Sequence, residues 1–309
     1  MKAGSNLEKV LAAGHFAVTG ELGPPQSNNV EVVKKKAGFL KGNIDAVNIT
    51  DNQTSIVKMS SIAAASICLQ QGLEPVFQMT CRDRNRIAMQ SDIFGASALG
   101  CLIMLCLSGD HPNFGNQKTS KKVFDIDSIQ LIALAKRLRD ERKLLDAEKP
   151  FNNELKLFIG GAGNPFSRPF EFRALRLAKK VMAGVDFIQT QCVYDMERFR
   201  EWMKAVRDLG LHEKCYILAG VAPLRSYDMA NFMATNVPGI VIPDQIMNRM
   251  KSMPKDKAPE EGIKICIELI DEIRQVEGIK GIHLMAIEWE HRAPEIIERA
   301  GLLPRPKME

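Results

Sequence analysis

No run in this sequence approaches the ~20 apolar residues that span a bilayer. Its opening, MKAGSNLEKVLAAGHFAVTGE, has neither a long apolar core nor a signal-cleavage pattern. A cytoplasmic protein is the expectation. The 42 Lys and Arg residues barely outnumber 37 Asp and Glu, and they form no dense basic stripe interleaved with aromatics, which argues against a nucleic-acid partner. Seven cysteines occur without a CxxC pair. Most sit in apolar runs where a thiol acts as a small hydrophobe, so neither a disulfide framework nor a local iron-sulfur site is encoded. The five histidines show no HxH or HExxH spacing, and no metal site is expected. GxSxG is missing, and no SxxK or Cys/His constellation points to covalent hydrolysis, which leaves cofactor or acid/base chemistry.

What is present is an ordinary globular composition, 45% hydrophobic and 26% charged, able to bury a large core. Short apolar runs rich in β-branched residues recur: 16–22, 44–50, 74–80, 101–110, 155–161, 185–191, 215–223, 239–243 and 281–287. Each is too short for a helix and reads as a strand. Segments of helical spacing lie between them, several ending in Gly. Strands hydrophobic on both faces, alternating with helices, give parallel βαβ crossovers and an α/β fold. Eight units close a (β/α)8 TIM barrel, whereas about five or six form an open doubly wound sheet. The barrel is favoured, with GIVIP at 239–243 as the surplus run. No linker divides the chain, so residues 1–309 are expected to form a single catalytic domain. The stretch 111–122, HPNFGNQKTSKK, reads as a mobile surface loop whose lysines could attract an anionic substrate tail.

In a parallel barrel the chemistry sits at the C-terminal ends of the strands. The polar residues there are Glu21, Thr50 with Asp51 and Asn52, Thr80 with Arg82, Asp110, Asn164, Gln191, Tyr227 and Glu288. A carboxylate at the end of a buried strand, as in TGELGPP, is suited to deliver a proton near neutral pH, making Glu21 a candidate general acid. Capping a helix or pairing with a buried cation is the alternative role. Asp110, beside Gly109, could stabilise a cationic intermediate, although Gly-Asp is also ordinary turn chemistry. FIGGAGNP places glycines where freed backbone N–H groups could cradle a phosphate, or could simply make a tight turn. Gln191 offers an amide that donates and accepts at once, fitting a heterocycle edge.

Taken in order, GELGPP, VNIT, FQMTC, SGDHP, TQ followed by Asp195, GVAPLRSY and GIHLMAI run along nearly the whole chain. Together they resemble the methylenetetrahydrofolate reductase family. The resemblance implies a flavin-holding β/α barrel that reduces 5,10-methylenetetrahydrofolate to 5-methyltetrahydrofolate. Carried across, it makes Glu21 the acid that opens the folate ring and Asp110 the carboxylate beside the flavin. Gln191, Tyr227 and Ile287 become folate-binding. Thr50, Gln78, Ser108, Gly109, Gly160, Asn164 and Lys180 become flavin contacts, Lys180 being suited to the phosphates.

This chain departs from the better-known bacterial pattern in three places. Ser108-Gly109-Asp110 stands for Arg-Gly-Asp, a small GGAGN run replaces a Tyr and a His, and Glu288-Trp289 replaces Asn-Arg. FMN therefore stands beside FAD as the expected flavin. AIEWEHRAPEII resembles the anaerobic branch, in which such a subunit works with a cysteine-rich iron-sulfur or zinc partner. Two other roles remain open: a flavin- or folate-binding subunit active only in a larger electron-transfer complex, and an unrelated barrel lyase or aldolase. The last is disfavoured because no strand-end Lys is placed for a Schiff base. The electron donor is NAD(P)H or that partner, and a homo-oligomer is possible on this reading.

Overall fold

The computed structural model describes residues 1–237 and 239–308. The first half of the chain runs α1 (Asn6–Ala12), β1 (Ala17–Leu22), α2 (Val30–Leu40), β2 (Ala46–Ile49), α3 (Ser61–Gln70), β3 (Pro75–Thr80), α4 (Arg86–Ala98), β4 (Ile103–Leu107) and α5 (Ser128–Asp140). The second runs β5 (Phe158–Gly163), α6 (Phe172–Ala183), β6 (Phe187–Cys192), α7 (Met196–Asp208), β7 (Tyr216–Val221), α8 (Tyr227–Asn236), α9 (Asp244–Ser252), α10 (Ala258–Arg274), β8 (Ile279–Leu284) and α11 (Ala293–Arg299). The strands pair in sequence order and β8 closes on β1. Every pairing is parallel. The eight-stranded barrel is thus the fold.

Of the nine strand-like runs, 239–243 forms no strand and leads as a loop into α9. The GGAG run differs from expectation in another way. Instead of a loop after the fifth strand, it is the end of β5 itself. Local chemistry sets the helix starts: Ser5, Asn29, Asn85, Asp127, Asp195 and Ser226 each accept a backbone N–H in the first turn of the helix that follows. Among the described residues no helix is long and apolar enough to cross a membrane.

Alternation along each strand sorts side chains between two cores. Val18, Leu22, Val47, Ile49, Phe77, Met79 and their equivalents face the helices. Ala17, Ala46, Val76, Ile103, Leu105, Phe158, Phe187 and Leu218 fill the lower barrel, and α1 closes that end with Leu7, Val10 and Leu11. The Phe158 and Phe187 rings stack with centroids 5.0 Å apart. Gly160 belongs to this packing: a Cβ there would stand 2.3 Å from Phe187 Cζ. The glycine makes room for a ring below the cavity. This differs from the ligand contact expected of it. A lower half filled with apolar side chains leaves the upper half for chemistry.

Candidate functional site

Above the apolar layer the inward positions turn polar, and a cavity of about 410 Å³ opens at the C-terminal ends of the strands. Register brings its floor together, since Thr19 pairs with His283 and Glu21 with Asn48. Asn48 and Gln189 form a reciprocal amide pair across the barrel. Gln189 Nε2 also donates to Thr19 Oγ1 at 3.0 Å, and the same hydroxyl lies 3.1 Å from His283 Nδ1. His283 Nε2 stands 3.5 Å from Glu21 Oε2, both side chains being almost fully buried. A buried polar layer persists only when its members satisfy one another, and these do.

The β2, β3 and β4 ends form a charged wall. Arg82, 2% exposed, donates to both carboxylate oxygens of Asp83, to the Asn52 carbonyl and to the Asp110 carbonyl. Burial pulls its guanidinium down, but Asp83, Asp51 and Asp110 outweigh this and hold it above its ordinary value. Asp51 in turn accepts from Thr80 and from Arg84. Asn52, Thr54 and Ser55 all have left-handed φ, at 46°, 57° and 59°. Such strain survives only where surroundings enforce it. Here Asp110 Oδ2 accepts the Thr54 N–H at 3.0 Å and Asn116 accepts that of Val57 at 3.1 Å.

Gly115 completes this lock, because a Cβ on it would lie 1.7 Å from the Ser55 carbonyl oxygen. Gly115→Ala should therefore cost about 1–3 kcal/mol through overpacking. Denaturant unfolding checks this, and an unchanged midpoint would show that the two loops do not interlock.

On the β5 side the lining is cationic. Lys180, Arg173 and Arg176 of α6 reach the cavity beside Ala162, Gly163 and Asn164. Lys180 is buried, and its Nζ donates to the Ala162 carbonyl at 2.5 Å. Burial, assisted by Arg176, lowers its pKa to about 8. Asn164 Oδ1 accepts from the backbone of Phe166 and Ser167, which shapes the turn. Trp202 also lines the cavity, and its indole N–H has no partner.

Of the residues expected at the site, Glu21, Gln78, Ser108, Gly109, Asp110, Asn164, Lys180 and Gln191 line one cavity. Gly109 sits there at φ 90°, with Thr80 Cβ 3.0 Å from where its own Cβ would be. Ser108 Oγ accepts the Ser128 N–H at the start of α5. Gln191 Oε1 accepts from the Cys192 N–H, leaving its amide hydrogens for a ligand. Thr50 is buried beside the cavity rather than in its lining, with a hydroxyl that has no partner. Tyr227 opens α8 half-buried against the outer core, and Ile287 lies at 38% exposure in the loop after β8. Neither lines the cavity.

Sequence reasoning missed Asn48, Gln189 and the role of His283. All seven cysteines are buried and unpaired, and burial raises their thiols, Cys101 to about 11 and Cys68 to about 12. Among the described residues no group of three or more His, Cys, Asp or Glu side chains is placed to hold a metal ion.

Comparison with known proteins gives this barrel its relatives. A probable methylenetetrahydrofolate reductase (NADPH) of Caenorhabditis elegans is 24% identical over 80% of this chain and 35% of its own length. Methylenetetrahydrofolate reductase 1 of Schizosaccharomyces pombe is 24% identical over 75% of this chain and 36% of its own. The chain thus spans about a third of the length of these curated relatives. Among solved structures, a Clostridium thermocellum protein described as binding two copies of 5-methyl-5,6,7,8-tetrahydrofolic acid superposes with a TM-score of 0.64. It is 15% identical, over 96% of this chain and 99% of that one. At that identity the likeness speaks for the fold. The methylenetetrahydrofolate reductase family model matches residues 6–301, from α1 through α11. With that match running through every strand of the barrel, the chain belongs to the methylenetetrahydrofolate reductase family.

Proposed function

We propose that this chain reduces 5,10-methylenetetrahydrofolate to 5-methyltetrahydrofolate with a bound flavin, and that the reaction is reversible. The observation that carries the reading is the placement of Glu21. It is a buried carboxyl at the end of β1, sharing one cavity with Asp110 and with the Lys180 cluster opposite. The folate-bound Clostridium thermocellum neighbour, which has the same barrel, supports a folate ligand here.

The residues fit a phosphate-bearing flavin. Lys180 is a buried cation whose hydrogen-bond partner is a backbone carbonyl rather than a carboxylate, Arg173 and Arg176 stand beside it, and Trp202 Nε1, in the same lining, is a buried polar atom without a partner. Lys180, Arg173 and Arg176 would hold the phosphate, and Gln78, Ser108, Gly109 and Asn164 would border the rest. When bound, the flavin supplies the hydride. Glu21 gives its proton to N10 of the substrate, and the C–N bond of the five-membered ring breaks with its electron pair passing to N10. A cation results at the N5 methylene. Asp110 supplies a negative charge in the same cavity, and that fixed charge favours the cation. Gln191 turns its free amide hydrogens to the pterin.

Anaerobic mixing tests the proposal. Purified protein should take up FAD or FMN, and 5-methyltetrahydrofolate should then bleach the flavin absorbance. Bleaching by folate and also by NADH or NADPH identifies a nicotinamide-dependent enzyme. Bleaching by folate alone identifies a subunit that works with an electron-carrying partner. Protein that takes up neither flavin nor folate would end the proposal.

Lys180 adds a pH signature. Its pKa of about 8 leaves it charged below pH 8 and neutral above. A bound phosphate favours the charged form, so FMN affinity should be full below pH 8 and fall about tenfold per pH unit above it. Riboflavin, lacking the phosphate, should show no such fall. Fluorescence titration of both ligands between pH 6.5 and 9.5 checks this, and parallel curves would remove Lys180 from the phosphate site.

A further inference from the structure

Counting donors in the polar layer assigns the protons of His283. Thr19 Oγ1 has one hydrogen, and the Ile282 carbonyl 3.3 Å away is an acceptor in reach of it. Toward its other neighbours the hydroxyl can only accept, from Gln189 Nε2 at 3.0 Å and from His283 Nδ1 at 3.1 Å. With the hydroxyl hydrogen given to Ile282, Nδ1 carries the imidazole hydrogen. Nε2 is left with a lone pair, which faces the Asn48 amide at 3.4 Å and Glu21 Oε2 at 3.5 Å. A bare nitrogen beside a bare carboxylate oxygen is repulsive. One proton between them turns the contact into a bond.

From this geometry we infer that His283 is the positioning residue for Glu21, holding one proton on the pair so that the carboxyl meets its substrate as an acid. The inference rests on the reading of Glu21 as the proton donor and adds how that proton is kept. The layer of Thr19, Asn48 and Gln189 fixes the imidazole tautomer, and Nε2 then orients the carboxyl from below. Once Glu21 has given its proton to the substrate nitrogen, the carboxylate faces Nε2 again, and the next proton from solvent settles on the pair.

The charges around this pair come from several elements. Cys192 of β6 presents a thiol that burial keeps protonated, with Glu21 adding to that effect. Around the cavity stand Asp51 after β2, Arg82 after β3, Asp110 after β4, and Arg173, Arg176 and Lys180 of α6. His283 is the titratable side chain in direct contact with Glu21. The seven-tenths of an ångström by which 3.5 Å exceeds a strong hydrogen bond matches the loose geometry of catalytic groups before substrate closes on them.

The full chain labelled with 15N-histidine tests the tautomer without any turnover. Five histidines give five pairs of signals, and the pair missing from His283→Gln belongs to His283. At neutral pH Nδ1 should be the protonated nitrogen, and Thr19→Val should mix the two tautomers. Glu21→Gln should change the Nε2 signal at neutral pH, because the pair has lost its shared proton.

In turnover, His283→Gln should shift the acid-dependent limb of the kcat/KM profile by ~1 unit and lower kcat ~10- to 100-fold, with KM within ~2-fold. A wild-type signal with the hydrogen on Nε2, or one indifferent to Glu21→Gln, overturns the inference even if His283→Gln fails to fold. A wild-type chain with the expected tautomer that cannot process folate overturns the function instead, so the two failures are distinguishable.

Discussion

Glu21→Gln should reduce 5,10-methylenetetrahydrofolate between about 10²- and 10⁴-fold more slowly than the native chain, the usual contribution of a placed general acid. The amide matches the carboxyl in shape and is neutral, so the buried position, 7% exposed, tolerates it. Thermal stability should move little. Folate affinity should stay within a few-fold, because the lost interaction acts on a proton moving in the transition state rather than on the bound ground state. Reduction of the flavin by its electron donor needs no ring opening and should proceed at the native rate. Stopped-flow measurement of the two half-reactions separates these outcomes. A folate half-reaction at the native rate would remove Glu21 as the acid, and loss of both half-reactions would show that the substitution damaged the flavin site instead.

The barrel could be read from the sequence because its strands are buried on both faces and keep a strand-helix period. Runs such as 16–22 and 74–80 fall within a residue of β1 and β3. GIVIP has a strand's composition but no strand, since the closed sheet already holds eight members and the segment lies outside them. The upper rim was legible too, because the residue closing each strand is adjacent to a turn. Glu21, Asp110 and Gln191 could be named without coordinates for that reason.

The polar floor was not legible in the same way. Thr19, Asn48, Gln189 and His283 lie within strands, where one polar residue in an apolar run has many explanations. Only register across four strands makes them neighbours. The available signal was a polar residue in the middle of β1, β2, β6 and β8 at one height, which needs the barrel to be assumed first. Gly160 differs again: its missing Cβ leaves room for the Phe187 ring, a packing role that only the folded barrel reveals.

Asp186→Ala should cost the barrel about 3–5 kcal/mol, the scale for removing one partner of a buried ion pair. Asp186 immediately precedes β6, at the end opposite the cavity, and its carboxylate joins three segments. It pairs with Lys2, accepts from Arg139 Nη1 at 2.6 Å, and accepts the Ile159 N–H at 2.8 Å. Its side chain is 2% exposed and that of Arg139 is 5%. Truncation therefore leaves a buried amide unmatched and a guanidinium holding Asp140 and the Leu157 carbonyl but not its most buried partner. Asp186→Asn should cost less, since the amide oxygen can still accept from Ile159 while the charge is lost.

Against a typical total stability of about 5–15 kcal/mol, the alanine variant gives up about a fifth or more, and urea unfolding will measure it. Folate affinity of the folded fraction at low temperature should remain native, because the apolar layer of Phe158 and Phe187 separates this ion cluster from the polar floor. Glu21→Gln and Asp186→Ala are thus expected to be mirror images, the first losing rate and keeping stability, the second the reverse. An alanine variant that unfolds at the native urea concentration would show that Asp140 alone satisfies Arg139. One whose folate affinity falls in step with its stability would show that strain crosses the apolar layer, and that the two ends of the barrel are mechanically one.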